Sequence, residues 1–299
     1  MIEINCEQGS EDWHQARVGV TTASMFRVAT EKVSLLNEQQ TIYVAAKRNG
    51  MSDEEAQEKA GYKATPRSTT IADVLKGKSE FADSAASIAY CDEIAMERIS
   101  EEPYGDTYQT YAMKRGSEME KWARIRYEEL YGCEVTESGI LLTDDRKFGY
   151  STDGRRDDGK GLIEIKTPES LAKIRHVIET NDIGEYTHQI QGGLWLTGLE
   201  FCDLVMYVPP LSGIGNDLYV HRVRRDETFI EKLEVDLLSF ERRIQAAESF
   251  WRHTFRRDGL DCAPAPSPAV LTEAEIQKAV AVASKPRAMR SSLASLLSA

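Results

Sequence analysis

The chain of 299 residues has no apolar run near the roughly 18 residues that a membrane-spanning helix needs. Its start, MIEINCEQGS, is acidic and lacks the hydrophobic stretch of a secretory signal. The sequence therefore predicts a cytoplasmic protein with no membrane role. Cysteine is scarce: Cys6, Cys91, Cys133, Cys202 and Cys262 are scattered, odd in number and form no Cys-x-x-Cys pair. That excludes a zinc ribbon or a disulfide framework and fits a reducing compartment. Positive charge is also short, with 37 basic against 49 acidic side chains and a net charge of −12. Such a balance argues against a protein coated along its length in nucleic acid, but leaves room for a confined basic groove. No internal repeat is present. What remains, 41% hydrophobic and 29% charged residues, describes a globular chain long enough for one large domain or two modest ones.

The texture changes along the chain. Ser10 can cap a helix from Trp13 to Arg17, Gly19 can end it, and Thr21 or Thr22 can open the next element. Residues 37–80 read as small helices with charge of both signs. From about 85 to 131 the pattern stays helical, with Met119, Ala123, Tyr127 and Leu130 recurring on one side. The period then shortens. Gly139–Leu142, Phe148–Asp153 and Gly161–Lys166 read as three strands parted by turns rich in Asp, Gly and Lys. Helices at 168–180 and 185–197, a strand pair at 201–208 and 218–224, and a long helix from Asp226 to about Phe255 follow. A Pro/Ala-rich linker at 259–269 and a tail at 270–299 close the chain. The order predicts an α/β (α+β) domain over 1–258: a small mixed sheet flanked by helices, with a helical insertion.

The segment Ser151-Thr-Asp-Gly-Arg-Arg-Asp-Asp-Gly-Lys-Gly-Leu-Ile-Glu-Ile-Lys166 carries the chemistry. On an extended strand, Glu164 and Lys166 share one face while Ile163 and Ile165 enter the core on the other. Asp153 precedes a hairpin turn whose return strand bears Glu164, so the two carboxylates can converge. Two carboxylates and a backbone carbonyl make a hard oxygen site for Mg²⁺ or Mn²⁺. A neighbouring lysine can orient water or meet the charge developing on a phosphate. Taken alone, the pattern also describes a charged, solvated hairpin.

Three further segments line up with it and with its own Asp153-Gly and Glu164-Ile-Lys166. Glu7–Ser24 contains Trp13-His-Gln-Ala-Arg17-Val-Gly19 followed by Thr22-Ala-Ser24. Gly116-Ser-Glu-Met-Glu120-Lys-Trp-Ala-Arg124, Glu164-Ile-Lys166 and Tyr186-Thr-His-Gln189-Ile-Gln191 come after it in order. Together these segments resemble the phage lambda exonuclease family, the YqaJ-type viral recombinases of the PD-(D/E)xK nuclease superfamily. The resemblance implies a restriction-endonuclease-like core and Mg²⁺-dependent (Mn²⁺ as substitute) digestion of the 5′-ended strand of duplex DNA ends. It implies metal ligation by Asp153, Glu164 and the carbonyl of Ile165, with Glu120 supporting the metal directly or through water. It implies that Lys166, with Gln189 beside it, holds the attacking water, and that Arg17 and Ser24 grip the terminal 5′-phosphate. A ring-shaped homotrimer, a single-strand annealing partner and a phage or prophage origin in a bacterial cytoplasm are implied as well. His14, His188, Trp122 and Trp195 are expected to pack rather than react.

The resemblance breaks between Ser24 and Gly116. There, Tyr43–Tyr62 reads as the first two helices of a helix-turn-helix or as a helical hairpin that only packs. Ser52 and Glu55 form a capping box, and a third helix is expected from Thr65-Pro66 to Leu75. Arg67, Lys76 and Lys78 are placed to meet phosphate. Two other functions compete with the exonuclease: an endonuclease on the same core, and a DNA-binding recombination accessory without catalysis.

Overall fold

Gly161–Lys166 is buried almost throughout, so both faces of this strand must be covered, and the architecture follows from how that is done. The computed structural model describes residues 1–104, 111–168 and 170–254; the expected linker and tail lie outside them. The chain opens with β1 (Ile2–Ile4), α1 (Glu11–Ala16), β2 (Thr21–Thr22) and α2 (Phe26–Ala29). Next come β3 (Lys32–Ser34), α3 (Glu38–Arg48), α4 (Asp53–Ala60), α5 (Thr69–Leu75) and β4 (Phe81–Asp83). Helices α6 (Ala85–Ser100) and α7 (Tyr111–Tyr131) lead into β5 (Val135–Thr136), β6 (Ile140–Leu142), β7 (Phe148–Tyr150), β8 (Gly154–Arg156) and β9 (Gly161–Lys166). The described chain ends with α8 (Leu171–Thr180), α9 (Thr187–Thr197), β10 (Phe201–Tyr207), β11 (Leu218–Arg224) and α10 (Glu227–Thr254). No helix among the described residues is long and apolar enough to cross a membrane.

Five strands form a mixed sheet in the order β11-β10-β9-β8-β5, and four form a second sheet, β1-β6-β7-β2. Within the larger sheet β9 and β10 run parallel while β8 pairs β9 and β11 pairs β10 antiparallel. A parallel pair needs a crossover, and here it contains α8 and α9. The alternation of β9 decides what covers each face. Ile163 and Ile165, with Val205, pack against Ala123 and Tyr127 of α7. Leu162, with Cys202, Leu204 and Met206, packs in a cluster with Ile190 and Leu194 of α9.

The run Phe148–Asp153, expected as one strand, is divided. Phe148–Tyr150 belongs to the four-stranded sheet, and the chain then changes sheets, so that β8 starts at Gly154. Trp122 and Leu130 are not core, at 55% and 60% exposed. Helix α7 buries Ala123 and Tyr127, and a helical step of about 100° per residue turns Trp122 away from them.

Residues 30–89 form a second compact unit with its own core of Leu36, Tyr43, Val44, Ala56, Ile71 and Val74. Its helices are capped as the side chains dictate: Asn37 with Gln40, and Ser52 with Glu55, complete reciprocal capping boxes. The third helix begins after Ser68, whose hydroxyl accepts from the Ile71 N–H, rather than at Thr65-Pro66. The connection from α4 to α5 thus spans residues 61–68, longer than the three- to four-residue turn of a helix-turn-helix. β3 and β4 close the unit as an antiparallel ribbon.

A charged group is locked beneath the larger sheet. Asp203 is fully buried and accepts from the Tyr127 hydroxyl at 2.5 Å and from Arg222 Nε and Nη2, both at 2.8 Å. Arg156 Nη1 donates to the Tyr127 oxygen at 2.6 Å, extending the chain to β8. Asp203→Ala leaves these donors without their acceptor. Because Arg222 is partly solvated, the expected loss sits at the low end for a broken buried pair, about 3 kcal/mol. Urea unfolding measures it; an unchanged midpoint would show that the network contributes nothing net.

Candidate active site

The change of sheets at residues 151–153 places Asp153 beside β9. Gly154 pairs with Ile163, and the Thr152 hydroxyl lies 3.1 Å from the Ile163 carbonyl. Asp153 then turns toward the strand, and its Oδ2 accepts from the Ile165 N–H at 2.6 Å. Glu164, the next residue on β9, is 1% exposed. A carboxyl group this deep needs partners for its oxygens, and both have them. Oε1 accepts from Lys166 Nζ at 2.7 Å and from Gln189 Nε2 at 2.5 Å; Oε2 accepts from the Tyr150 hydroxyl at 3.1 Å. The Lys166 ammonium also lies 3.5 Å from Gln189 Oε1 and 5.7 Å from the centre of the Tyr186 ring.

Asp153, Glu164, Lys166 and Gln189 are therefore brought into one cluster around the buried Glu164, drawn from the sheet junction, β9 and α9. Burial, and then repulsion by Glu164, hold the Asp153 carboxyl well above the ordinary aspartate value, against the pull of Lys166. Glu120, on α7, is raised by burial; Lys166 and Arg124 oppose the rise and Glu164 adds to it. Burial disfavours the Lys166 ammonium, but Glu164 and Asp153 outweigh it and hold the group above its usual value. Among the described residues no three Asp, Glu, His or Cys side chains form a closed ion cage. The oxygens that could serve a cation here are hard: the carboxylates of Asp153 and Glu164, with Glu120 coupled to them through space. Such a set suits Mg²⁺ or Mn²⁺, and the mutual repulsion of its carboxylates is what a divalent cation relieves.

A second constellation lies at the N-terminal end of the chain. Ser10 caps α1, accepting from the Trp13 N–H at 3.2 Å, and Arg17 ends the helix. The Arg17 guanidinium stacks 4.2 Å from the centre of the Trp13 ring and donates to Thr22 Oγ1 at 3.2 Å. Thr22 Oγ1 is 3.3 Å from Ser24 Oγ, so Arg17 and Ser24 are joined through Thr22, which the sequence suggests only as the opening of an element. Burial lowers the Arg17 guanidinium, which nonetheless remains a cation at any physiological pH. Gly19, at φ +70°, lets the chain turn under Arg98: a Cβ there would fall 2.6 Å from Arg98 Cγ. Arg98 Nε donates to the Gly19 carbonyl at 2.8 Å while its Nη1 and Nη2 fork onto the buried Glu241. Trp13 Nε1 donates to Ser151 Oγ at 2.8 Å, and Gln8 Nε2 to the Thr152 carbonyl at 2.8 Å. These bonds tie the Arg17 cluster to the residues just before Asp153.

His14 packs edge-on against Trp13, and His188 against Phe229. Neither enters the carboxylate cluster. The sequence reading missed Tyr150 because an aromatic residue in a short apolar strand looks like core, which it also is.

The profile of the YqaJ-like viral recombinase domain matches residues 12–200, spanning both constellations. The chain belongs to that family. Among solved structures, an alkaline exonuclease (LHK-Exo) from Laribacter hongkongensis shares the fold at 24% identity and a TM-score of 0.57, covering 81% of this chain and 96% of that one. Its complex with dAMP aligns over the same shares at 24% identity and a TM-score of 0.58. A phage-related exonuclease from Haemophilus somnus 129PT aligns at 17% identity over 62% of this chain and 87% of that one, with a TM-score of 0.42. No curated protein matches. The mixed α/β architecture of this YqaJ-type chain is thus that of known exonucleases.

The raised Asp153 carboxyl has a consequence for stability. A carboxyl whose value is higher folded than unfolded costs nothing below the unfolded value, and its cost grows as pH rises through the folded one. In EDTA at pH 8, Asp153→Asn should therefore unfold at a higher temperature than the parent. The expected gain is about 2–4 °C, the size of roughly 1 kcal/mol in a domain of this length. The gap should close as pH falls toward 4. A variant less stable than the parent at pH 8 would contradict the assignment of strain to this pair.

Proposed function

We propose that this chain is a metal-dependent double-strand DNA exonuclease that degrades the 5′-ended strand and leaves 3′ overhangs for annealing-type recombination. The observation that carries the reading is the Asp153–Glu164–Lys166–Gln189 cluster within a chain of the YqaJ-like family. On this reading the core is of the PD-(D/E)xK type, with Asp153 at the sheet junction and Glu164-x-Lys166 on the adjoining strand.

Asp153, Glu164 and the Ile165 carbonyl would hold Mg²⁺ or Mn²⁺, with Glu120 supporting it directly or through water. A bound divalent cation lowers the pKa of water and neutralises charge on the scissile phosphate. Lys166, charged and half-buried, would hold the attacking water, with Gln189 keeping Glu164 and Lys166 in register. Arg17 and Ser24, joined by Thr22, would take the terminal 5′-phosphate. A guanidinium discriminates a dianionic end from an internal diester because it forks onto several oxygens at once. The dAMP in the Laribacter exonuclease is the kind of product such an activity releases. The family's ring-shaped trimer would reconcile a net charge of −12 with DNA binding by turning basic side chains toward a channel. The annealing protein belongs to the same reading as the consumer of the 3′ overhang.

Linear duplex with a 5′-phosphate, closed circular duplex, and both without Mg²⁺ separate the candidates. Digestion of the linear form alone, and only with metal, is expected; cutting of the circle would make the chain an endonuclease, and no digestion a binding accessory. Asp153→Asn should abolish digestion while leaving the protein folded, because the amide lacks the charge that holds the ion. Near-parental digestion by folded Asp153→Asn would overturn the reading. Arg17→Ala should lose roughly 1.5–3 kcal/mol, a ten- to hundred-fold drop, on 5′-phosphorylated ends and much less on 5′-hydroxyl ends. A variant that keeps the parent's preference would reduce Arg17 to a structural cation on Trp13.

A further inference from the structure

Glu164 has three partners, and two of them, Lys166 and Gln189, fall on the same oxygen. The other oxygen, Oε2, accepts from Tyr150 on β7, in the neighbouring sheet. The phenol has little choice of place. The Tyr150 ring is 1% exposed, and α9 lies so close against it that a Cβ at Gly193 would fall 2.6 Å from ring atom Cζ. Gly193 stands four residues after Gln189, on the same face of the helix. One face of α9 therefore reaches Glu164 twice: directly through Gln189 on Oε1, and through the clamped ring of Tyr150 on Oε2. Gly192 repeats the device one residue earlier, where a Cβ would fall 2.5 Å from the Phe26 ring. The paired glycines seat the helix on two aromatic plates.

We propose that Tyr150 is a positioning residue for Glu164: its hydroxyl fixes the rotation of the carboxylate, and Gly193 fixes the hydroxyl by pinning its ring. The inference rests on the reading of Glu164 as a ligand of a divalent cation. A carboxylate free to turn about its last bond presents a given oxygen to an ion only part of the time. Hydrogen bonds from outside the ligand set hold that orientation, and removing one typically weakens metal binding by about 10–100-fold. A tyrosine that merely filled the core would be replaced by phenylalanine with no effect on the ion.

The test is Mn²⁺ binding to the full chain at fixed pH, followed by the electron paramagnetic resonance of free Mn²⁺, for the parent, Tyr150→Phe, Gly193→Ala, the double variant and Glu164→Gln. Tyr150→Phe should bind Mn²⁺ about ten-fold more weakly. Its digestion of linear duplex should need correspondingly more metal and approach the parent's maximum at saturation. Gly193→Ala, which keeps the hydroxyl but displaces the ring, should weaken binding in the same direction and add little in the Tyr150→Phe background. It also supplies the reading should Tyr150→Phe fail to unfold cooperatively in urea. If Glu164→Gln abolishes Mn²⁺ binding while Tyr150→Phe and Gly193→Ala leave it at the parent's value, the positioning role is overturned and the metal site stands. If Glu164→Gln also leaves binding unchanged, the metal assignment is wrong and the positioning role falls with it.

Discussion

Pairing both oxygens of Glu164 where almost no water reaches them is the constraint on which the rest of this structure depends. An ionised group at that depth carries a desolvation penalty of several kcal/mol unless its oxygens are fully paired. The pairing draws on three separate parts of the chain: Lys166 two residues along β9, Gln189 on α9 and Tyr150 on β7. Each must arrive within hydrogen-bond reach, so the crossover helix, the sheet junction and the second sheet are fixed relative to one another by a single side chain. The apolar packing around them, with Leu162 and Met206 on one strand pair and Ile190 and Leu194 on the helix, supplies the driving force. The polar cluster selects the register.

The same economy of position explains the unease of Asp153. Its only hydrogen bond described at the junction comes from the Ile165 N–H, which favours the charged form but does not outweigh burial and the nearby Glu164. Two carboxylates crowded near one ammonium form an under-neutralised site. A structural ion-pair network would be expected to balance its charges, as Asp203 does with Arg222, Arg156 and Tyr127 on the opposite face of the same sheet. The contrast between the two faces is the physical argument that the Asp153 side is built for a ligand and the Asp203 side for stability.

How much of this could be read from residues alone follows from which interactions are local. The Ser10 and Ser52 caps, the alternation of Ile163, Glu164, Ile165 and Lys166, and the 218–224 partner strand all depend on a few neighbouring residues, and each appears in the structure. The break between Tyr150 and Gly154 could not be read, because continuity of β-forming residues says nothing about which sheet takes them. Trp122 was misjudged for a related reason: a helix with two plausible apolar stripes does not declare which one meets the sheet, and Tyr127 with its Asp203 bond settles it. Thr22 and Tyr150 were missed because their roles come from partners 5 and 14 residues away across turns, not from any spacing.

The two constellations are also mechanically joined. Arg17 is held by the Trp13 ring, and Trp13 is bonded to Ser151, two residues before Asp153; Gln8 secures the carbonyl of the residue between. Behind Arg17, the Gly19 turn is locked to Arg98, and Arg98 to Glu241 of the long C-terminal helix. The path from the guanidinium to the carboxylate cluster thus runs through side-chain hydrogen bonds to residues 151 and 152, next to Asp153. An enzyme that removes a fixed unit from an end must hold the end and the scissile bond a fixed distance apart, because a misplacement of about 1 Å can cost a hundred-fold in rate. A short chain of side-chain contacts from Arg17 through Trp13 to the residues just before Asp153 meets that requirement, and it supports the proposed end-directed reading.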